Sequence, residues 1–85
     1  LELDFRKRSV KWAAKDVTLS EREFALLEHF AMNPERIYTA EELLDKLFPD
    51  ADSGKRVIRV YVHYLRQKLG EAVIATASGG YRLGV

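Results

Sequence analysis

Two capping boxes fix where two helices begin in this chain. Ser20-Glu21-Arg22-Glu23 and Thr39-Ala40-Glu41-Glu42 each place a hydroxyl three residues before a glutamate, so each side chain can satisfy the other residue's backbone amide at a helix start. Apolar residues at helical spacing follow both boxes, and Asn33-Pro34 and Pro49 end the two helices. Two short helices joined by the extended pair Ile37-Tyr38 predict the first half of a helix-turn-helix.

A third helix, predicted from about 54 to 69, has one apolar face and one polar face. Its apolar stripe consists of Ile58, Val62, Leu65 and Leu69, and Gly70 is placed to end it. At about 100° per residue, the opposite face carries Arg56, Arg59, Val60, His63, Tyr64 and Gln67, with Lys55 and Arg66 at its margins. Because 54–69 contains no acidic residue, burial of the stripe leaves a basic surface exposed.

Strands are predicted on both sides of the helices. Residues 1–19 alternate between apolar and polar, with turns expected at 6–9 and 13–16, which indicates a small antiparallel sheet. Residues 72–76 and 81–85 predict a hairpin around Ala77-Ser78-Gly79-Gly80, whose glycines can supply positive φ. The predicted fold class is α+β: a winged helix-turn-helix with an N-terminal antiparallel sheet, three helices and a C-terminal β-hairpin wing.

Composition excludes several classes of site. Eighty-five residues give one domain with one core, and the absence of cysteine removes disulfides and cysteine–zinc sites. His29 and His63 are too far apart in sequence to suggest a metal site, and no cofactor motif is present. Ser20 and Thr39 are explained by capping, and no nucleophile–base pair stands out, so we expect no enzyme activity. Without a membrane-length apolar run or a signal peptide, the expected location is the cytoplasm.

Charge is distributed unevenly along the chain. Residues 1–54 carry eight basic and twelve acidic residues (8 − 12 = −4), whereas 55–85 carry six basic residues and one acidic residue (6 − 1 = +5). Basic helix faces are common by chance, so this asymmetry alone does not separate DNA binding from protein contact. The helix-turn-helix lead-in, the acid-free third helix and the following hairpin together favour DNA binding.

Four segments resemble the winged-helix effector domain of OmpR/PhoB-type response regulators, in the right order and over essentially the whole chain. They are Leu19–Leu27, Tyr38–Leu44, Val60–Leu69 and Gly80–Leu83. The Val-Tyr-Val-His-x-Leu-Arg stretch within the third segment is most similar to the QseB/PmrA branch.

This resemblance implies a four-stranded N-terminal sheet, a recognition helix at about 54–69 in the major groove, and a wing at 74–84 near the minor groove. The DNA-binding residues expected on this basis are Lys55, Arg56, Arg59, Val60, His63, Tyr64, Arg66, Gln67, Ser78, Tyr81 and Arg82.

The resemblance also implies a set of partners. Double-stranded promoter DNA with direct-repeat sites is the expected ligand, and the loop 49–53 is expected to face RNA polymerase. An N-terminal receiver domain phosphorylated on aspartate is expected in the whole protein and absent from this chain. It implies a head-to-tail homodimer for the whole protein and a monomer for the fragment.

The chain differs from the family's usual pattern at four positions. Arg59 stands where an acidic residue is usual, which reverses a charge in the middle of the reading face. The wing is one residue shorter and has Ser78 in place of an arginine, Ala40 replaces a common arginine, and Phe48 replaces a common tryptophan. Two alternatives therefore stay open: a winged helix used mainly for protein contact with weak DNA affinity, and the DNA-binding domain of a membrane-anchored regulator.

Overall fold

The computed structural model of the chain describes residues 2–4, 6–7, 9–12, 15–50 and 54–84. In chain order its elements are β1 (Glu2–Asp4), β2 (Ser9–Trp12), β3 (Lys15–Val17), α1 (Glu21–Met32), α2 (Ala40–Leu47), α3 (Arg56–Leu69), β4 (Ile74–Ala77) and β5 (Gly80–Leu83). A single 3-10 turn, Glu71–Val73, connects α3 to β4. This order confirms the predicted winged helix-turn-helix.

The N-terminal sheet is antiparallel, with strand order β1-β2-β3. Leu3 pairs with Val10, and Val10 pairs with Val17, so one apolar residue of each strand lies in the same row. The resemblance implied four strands, whereas the described residues form three in this sheet. Leu1 and Phe5, which the alternation also assigned to strands, lie outside the described residues.

The turns between these strands are shorter than predicted. Ser9, expected in a turn, opens β2 opposite Asp4, and Lys15 and Asp16, also expected in a turn, form β3 opposite β2. The first turn closes early because the Asp4 carboxylate accepts hydrogen bonds from the backbone amides of Arg6 and Lys7, both at 3.0 Å. Side-chain capping of this kind is not visible in an apolar alternation pattern.

Both capping boxes form as predicted. In α1, the Glu23 amide donates to Ser20 Oγ (3.2 Å) and the Ser20 amide donates to Glu23 Oε1 (2.9 Å). In α2, the Glu42 amide donates to Thr39 Oγ1 (3.1 Å), and the Thr39 amide donates back to Glu42 Oε1 (3.4 Å). The sequence positions of the first two helices are therefore set by local chemistry.

The third helix begins at Arg56, two residues later than predicted. Gly54 adopts a φ of 61°, outside the helical region, and Gly54 and Lys55 form a turn before the helix. At the other end, Gly70 has a φ of 95° and stops α3 where the sequence indicated. All four residues of the predicted apolar stripe, Ile58, Val62, Leu65 and Leu69, are buried.

The core lies between the three helices and is closed by β2 and the C-terminal hairpin. Its buried members are Val10, Phe24, Leu26, Leu27, Phe30, Tyr38, Leu43, Phe48, Ile58, Val62, Leu65, Leu69, Val73, Ile74 and Leu83. Trp12 is partly buried and packs against this cluster. Among the described residues, no helix combines the length and apolar character needed to cross a membrane.

Candidate nucleic-acid interface

The exposed side of α3 carries the side chains that the helical spacing put there. Each member of the predicted outward face is exposed: Arg56, Arg59, Val60, His63, Tyr64 and Gln67. Val60 and Tyr64 are apolar or aromatic, yet they keep 39% and 42% of their surface exposed. This face, which we call the α3 face, combines two guanidinium groups with hydrogen-bonding and methyl-bearing side chains, the set that reads base edges and phosphates.

The rings of Phe48, Tyr61 and Tyr64 form an aromatic cluster that packs against one side of the α3 face. The rings of Phe48 and Tyr61 stack with centroids 5.3 Å apart, and Tyr61 meets the Tyr64 ring edge-on at 5.9 Å. Phe48, where the family commonly has tryptophan, is buried and forms the end of this stack. The Tyr64 ring is therefore held by a neighbour that is itself fixed to the end of α2.

Lys55 lies at the edge of the α3 face and is paired with α2. Its Nζ is 2.7 Å from Glu41 Oε1, and both side chains are largely exposed. The Lys55 ammonium lowers the pKa of Glu41 through a hydrogen bond and charge attraction. Thr39, Ala40, Glu41, Lys55 and Gly79 line an open groove of about 250 Å³, so the start of α2 faces the wing tip.

The wing is a tight hairpin whose strands are placed differently from the prediction. Ala77 pairs with Gly80, so only Ser78 and Gly79 form the turn, and Gly79 supplies the predicted positive φ (83°). Ala72, predicted in the first strand, lies in the 3-10 turn, because the Val73 amide bonds back to the Gly70 carbonyl at 3.2 Å. Ser78 and Arg82 are exposed, while Tyr81 is half-buried.

Gly80 is a glycine for a reason that the sequence did not indicate. We predicted positive φ at the turn glycines, but Gly80 is not among the positive-φ glycines. A Cβ at this position would lie 2.2 Å from the Tyr38 carbonyl oxygen, so close backbone approach excludes a side chain. The Tyr38 and Tyr81 backbones exchange hydrogen bonds of 2.8 and 2.9 Å, which ties β5 to the residue that precedes the N-cap of α2.

Arg66, predicted at the margin of the α3 face, is half-buried and turned towards β4. Its Nε and Nη2 donate to the Ile74 carbonyl at 3.1 and 2.8 Å, and Nη2 also donates to Thr76 Oγ1 at 2.9 Å. Helical periodicity placed Arg66 correctly on the helix, but it gives no information on which carbonyl a long side chain reaches. Thr76 and Tyr38 were therefore missed as contributors to the geometry of this region.

His29 is a half-buried residue of α1 with a distinct environment. Its ring lies 4.7 Å from the Tyr38 ring, and its Nε2 is buried without a hydrogen-bond partner. Burial lowers the pKa of His29, and the positive charges of Lys46 and Arg36 lower it further. In the part of the chain that the structure describes, no group of three or more acidic, histidine or cysteine side chains could hold a metal ion.

One predicted contact region can be described only in part. Pro49 and Asp50 follow α2 as an exposed turn, but residues 51–53 of the loop 49–53 lie outside the described residues. The expected polymerase contact at this loop therefore stays a prediction.

Known proteins are similar to this chain in sequence and in fold. Residues 14–83 match the family model described as "Transcriptional regulatory protein, C terminal". The transcriptional regulatory protein QseB of Escherichia coli O157:H7 is 39% identical over 84 residues, which cover 96% of this chain and 38% of QseB. The chain thus spans about two fifths of the length of the curated relatives it matches.

Solved DNA-binding domains superpose closely on this fold. The DNA-binding domain of the response regulator AdeR, in complex with an intercistronic region, has a TM-score of 0.82 at 26% identity, covering 99% of this chain and 93% of that one. The RstA DNA-binding domain of Klebsiella pneumoniae, in complex with the RstA box, has a TM-score of 0.81 at 27% identity, covering 96% and 88%. The chain belongs to the family of transcriptional regulatory protein C-terminal domains, the OmpR/PhoB-type winged-helix effector domains of response regulators.

Proposed function

We propose that this domain binds double-stranded DNA sequence-specifically to regulate transcription, with α3 in the major groove. The observation that carries the proposal is the division of α3 into two faces. Ile58, Val62, Leu65 and Leu69 are buried on one side, while the α3 face exposes two arginines with no acidic residue within the helix. A major groove presents base-edge acceptors flanked by phosphates, and arginine can bind both.

The position of each side chain on the α3 face determines the part of the DNA that we assign to it. Arg59 is central on the exposed face and is assigned to a guanine edge, where two parallel hydrogen bonds distinguish G·C from other pairs. Val60 is assigned to a thymine methyl, and His63, Tyr64 and Gln67 to base edges or sugars nearby. Arg56 and Lys55, at the start of α3, are assigned to phosphates.

The wing is assigned to the neighbouring minor groove. Its tip, Ser78-Gly79, is exposed and short, and Arg82 supplies the nearest positive charge on β5. Because serine cannot place a cation in a narrow groove, we assign most of the binding free energy to α3. Tyr81 is half-buried and pairs with Tyr38, so its role in this proposal is to hold the wing in place.

The family suggests the setting in which the domain acts. We place it in the bacterial cytoplasm, in a protein with an N-terminal receiver domain, and acting as a head-to-tail dimer on direct-repeat promoter DNA. In that arrangement the loop 49–53 would face RNA polymerase. The fragment alone is expected to bind as a monomer and weakly, because dimerisation raises apparent affinity by linking two binding events.

A salt titration on duplex DNA tests the proposal. Titrate the domain with a promoter duplex and with a scrambled duplex of equal length at several salt concentrations. If Lys55, Arg56 and Arg82 each neutralise one phosphate, log K against log salt should fall with a slope of roughly −3. The promoter duplex should also bind more tightly at every salt concentration. A slope near zero on both duplexes would instead support the alternative of a winged helix used mainly for protein contact.

A further inference from the structure

The base of the wing is tied to the rest of the domain along both of its edges, by Tyr38 on the β5 side and by Arg66 of α3 on the β4 side. Tyr81 uses both backbone groups on Tyr38, so it cannot also hydrogen-bond across to Thr76, its partner in β4. In an antiparallel pair, hydrogen-bonded and non-hydrogen-bonded positions alternate, so the Ile74–Leu83 pair is also non-hydrogen-bonded. The Ile74 carbonyl therefore points away from β5, towards the outer edge of β4.

Arg66 occupies this outer edge. Two of its guanidinium nitrogens converge on the Ile74 carbonyl oxygen, and one of them also reaches the Thr76 hydroxyl. Ile74 is buried, so its carbonyl would otherwise lack a partner at a strand edge. A planar guanidinium can make these bonds together, whereas an ammonium on a flexible stem cannot reproduce that fork.

We propose that Arg66 is a positioning residue that fixes the wing relative to α3, and not primarily a phosphate ligand. The proposal rests on the proposed function, in which α3 and the wing bind one duplex at the same time. Two DNA-contacting elements on one domain reach adjacent grooves only if the angle between them is maintained. Arg66 belongs to the last turn of α3 and donates hydrogen bonds directly to β4, so the position of the hairpin is fixed relative to the end of the helix.

The first experiment uses the free domain and needs no DNA. Hydrogen exchange of the β4 and β5 amides is compared in the parent, Arg66→Lys and Thr76→Val. Arg66→Lys retains the charge but loses the fork, and Thr76→Val removes one bond without changing charge or shape. We expect the wing amides to exchange about tenfold faster in Arg66→Lys. Loss of roughly one hydrogen bond lowers the free energy of local opening by about the amount that gives this factor. Arg56→Lys, an exposed arginine on the same helix, is the matched control and should leave wing exchange unchanged.

The second experiment measures DNA binding by the same variants. If Arg66 positions the wing, Arg66→Lys and Thr76→Val should both weaken binding severalfold while the salt slope stays at the parent value. A phosphate ligand gives a different result: Arg66→Lys binds like the parent, and Arg66→Ala reduces the slope by about one. Unchanged wing exchange in Arg66→Lys overturns the proposal. If the parent protein does not bind DNA, the proposed function fails, while the exchange data still decide whether Arg66 holds the wing.

Discussion

Lys68 Nζ lies 2.8 Å from Glu23 Oε1, which joins the last turn of α3 to the first turn of α1. Only 3% of the Glu23 surface is exposed, and its Oε2 is buried without a partner. Glu23 therefore has two roles: it completes the capping box with Ser20, and it binds the cation that anchors the C-terminal end of the recognition helix. A carboxylate in this environment makes folding depend on pH.

Glu23→Gln should remove part of the acid sensitivity of the fold. Burial alone would raise the pKa of Glu23, but the hydrogen bonds from Lys68 and Ser20 outweigh it and lower the pKa below 4.5. The stabilisation from Glu23 is thus fully present above about pH 4.5. It is lost as the pH falls through the lower pKa that Glu23 has in the folded protein. Chemical unfolding from pH 7 down to about 3 should show a smaller loss in Glu23→Gln than in the parent. Glu21→Gln, which removes an exposed carboxylate of the same turn and leaves the Glu23–Lys68 pair in place, is the charge-matched control.

His29→Gln should change the pH dependence in a separate, higher range. Burial and the charges of Lys46 and Arg36 lower the pKa of His29 below 6.5, although Glu42 opposes them. A depressed histidine pKa stabilises the fold above about 6.5, and that contribution is lost as pH falls through the folded value. The free energy of unfolding, measured from pH about 8 to about 5, should therefore fall less steeply in His29→Gln. Identical curves for both proteins would show that His29 titrates as it does in the unfolded chain.

Leu65→Ala should strongly destabilise the domain. Leu65 is fully buried at the centre of the α3 stripe, so truncation opens a cavity and should cost about 2–5 kcal/mol of unfolding free energy. Gln67→Ala, exposed two residues later on the same helix, should stay within roughly 0.5 kcal/mol of the parent. Denaturant unfolding of both variants checks the phase of α3. If Leu65→Ala unfolds at the parent's midpoint, the assignment of the α3 face is wrong as well.

Sequence alone was sufficient where local chemistry decides the structure. The boxes at Ser20 and Thr39 act over three residues, and the apolar stripe of α3 repeats with the helical period, so both were predictable. It was insufficient where residues distant in sequence meet. The contact of Gly80 with Tyr38 and the bonds from Arg66 to β4 depend on tertiary placement, which neither spacing nor propensity encodes.

Arg59→Ala should reduce specificity more than general affinity. If Arg59 binds a guanine edge with two hydrogen bonds, its loss should cost about 1–3 kcal/mol on the cognate site and less on scrambled DNA. Arg56→Ala is the matched comparison, because both arginines are exposed on α3 and neither pairs with an acid in the described structure. The loss of Arg56 should weaken binding to both duplexes equally and reduce the salt slope by about one. Equal losses on both duplexes in Arg59→Ala would assign Arg59 to phosphate contact instead.

Ser78→Arg should strengthen DNA binding, most of all where an A·T-rich minor groove lies beside the half-site. Such grooves are narrow and concentrate negative potential, which attracts an inserted guanidinium. Position 78 suits the test because it is exposed at the tip of a two-residue turn whose base is held by Tyr38 and Arg66.

The affinities of the parent, Ser78→Arg and a Ser78→Gln control are compared on duplexes that differ only in the base pairs flanking the half-site. A gain confined to the arginine variant and larger on A·T-rich flanks places the wing tip in the minor groove. Equal affinity of all three proteins on every duplex means that the wing tip does not enter that groove, and the docking pose taken from the family would then be wrong for this chain.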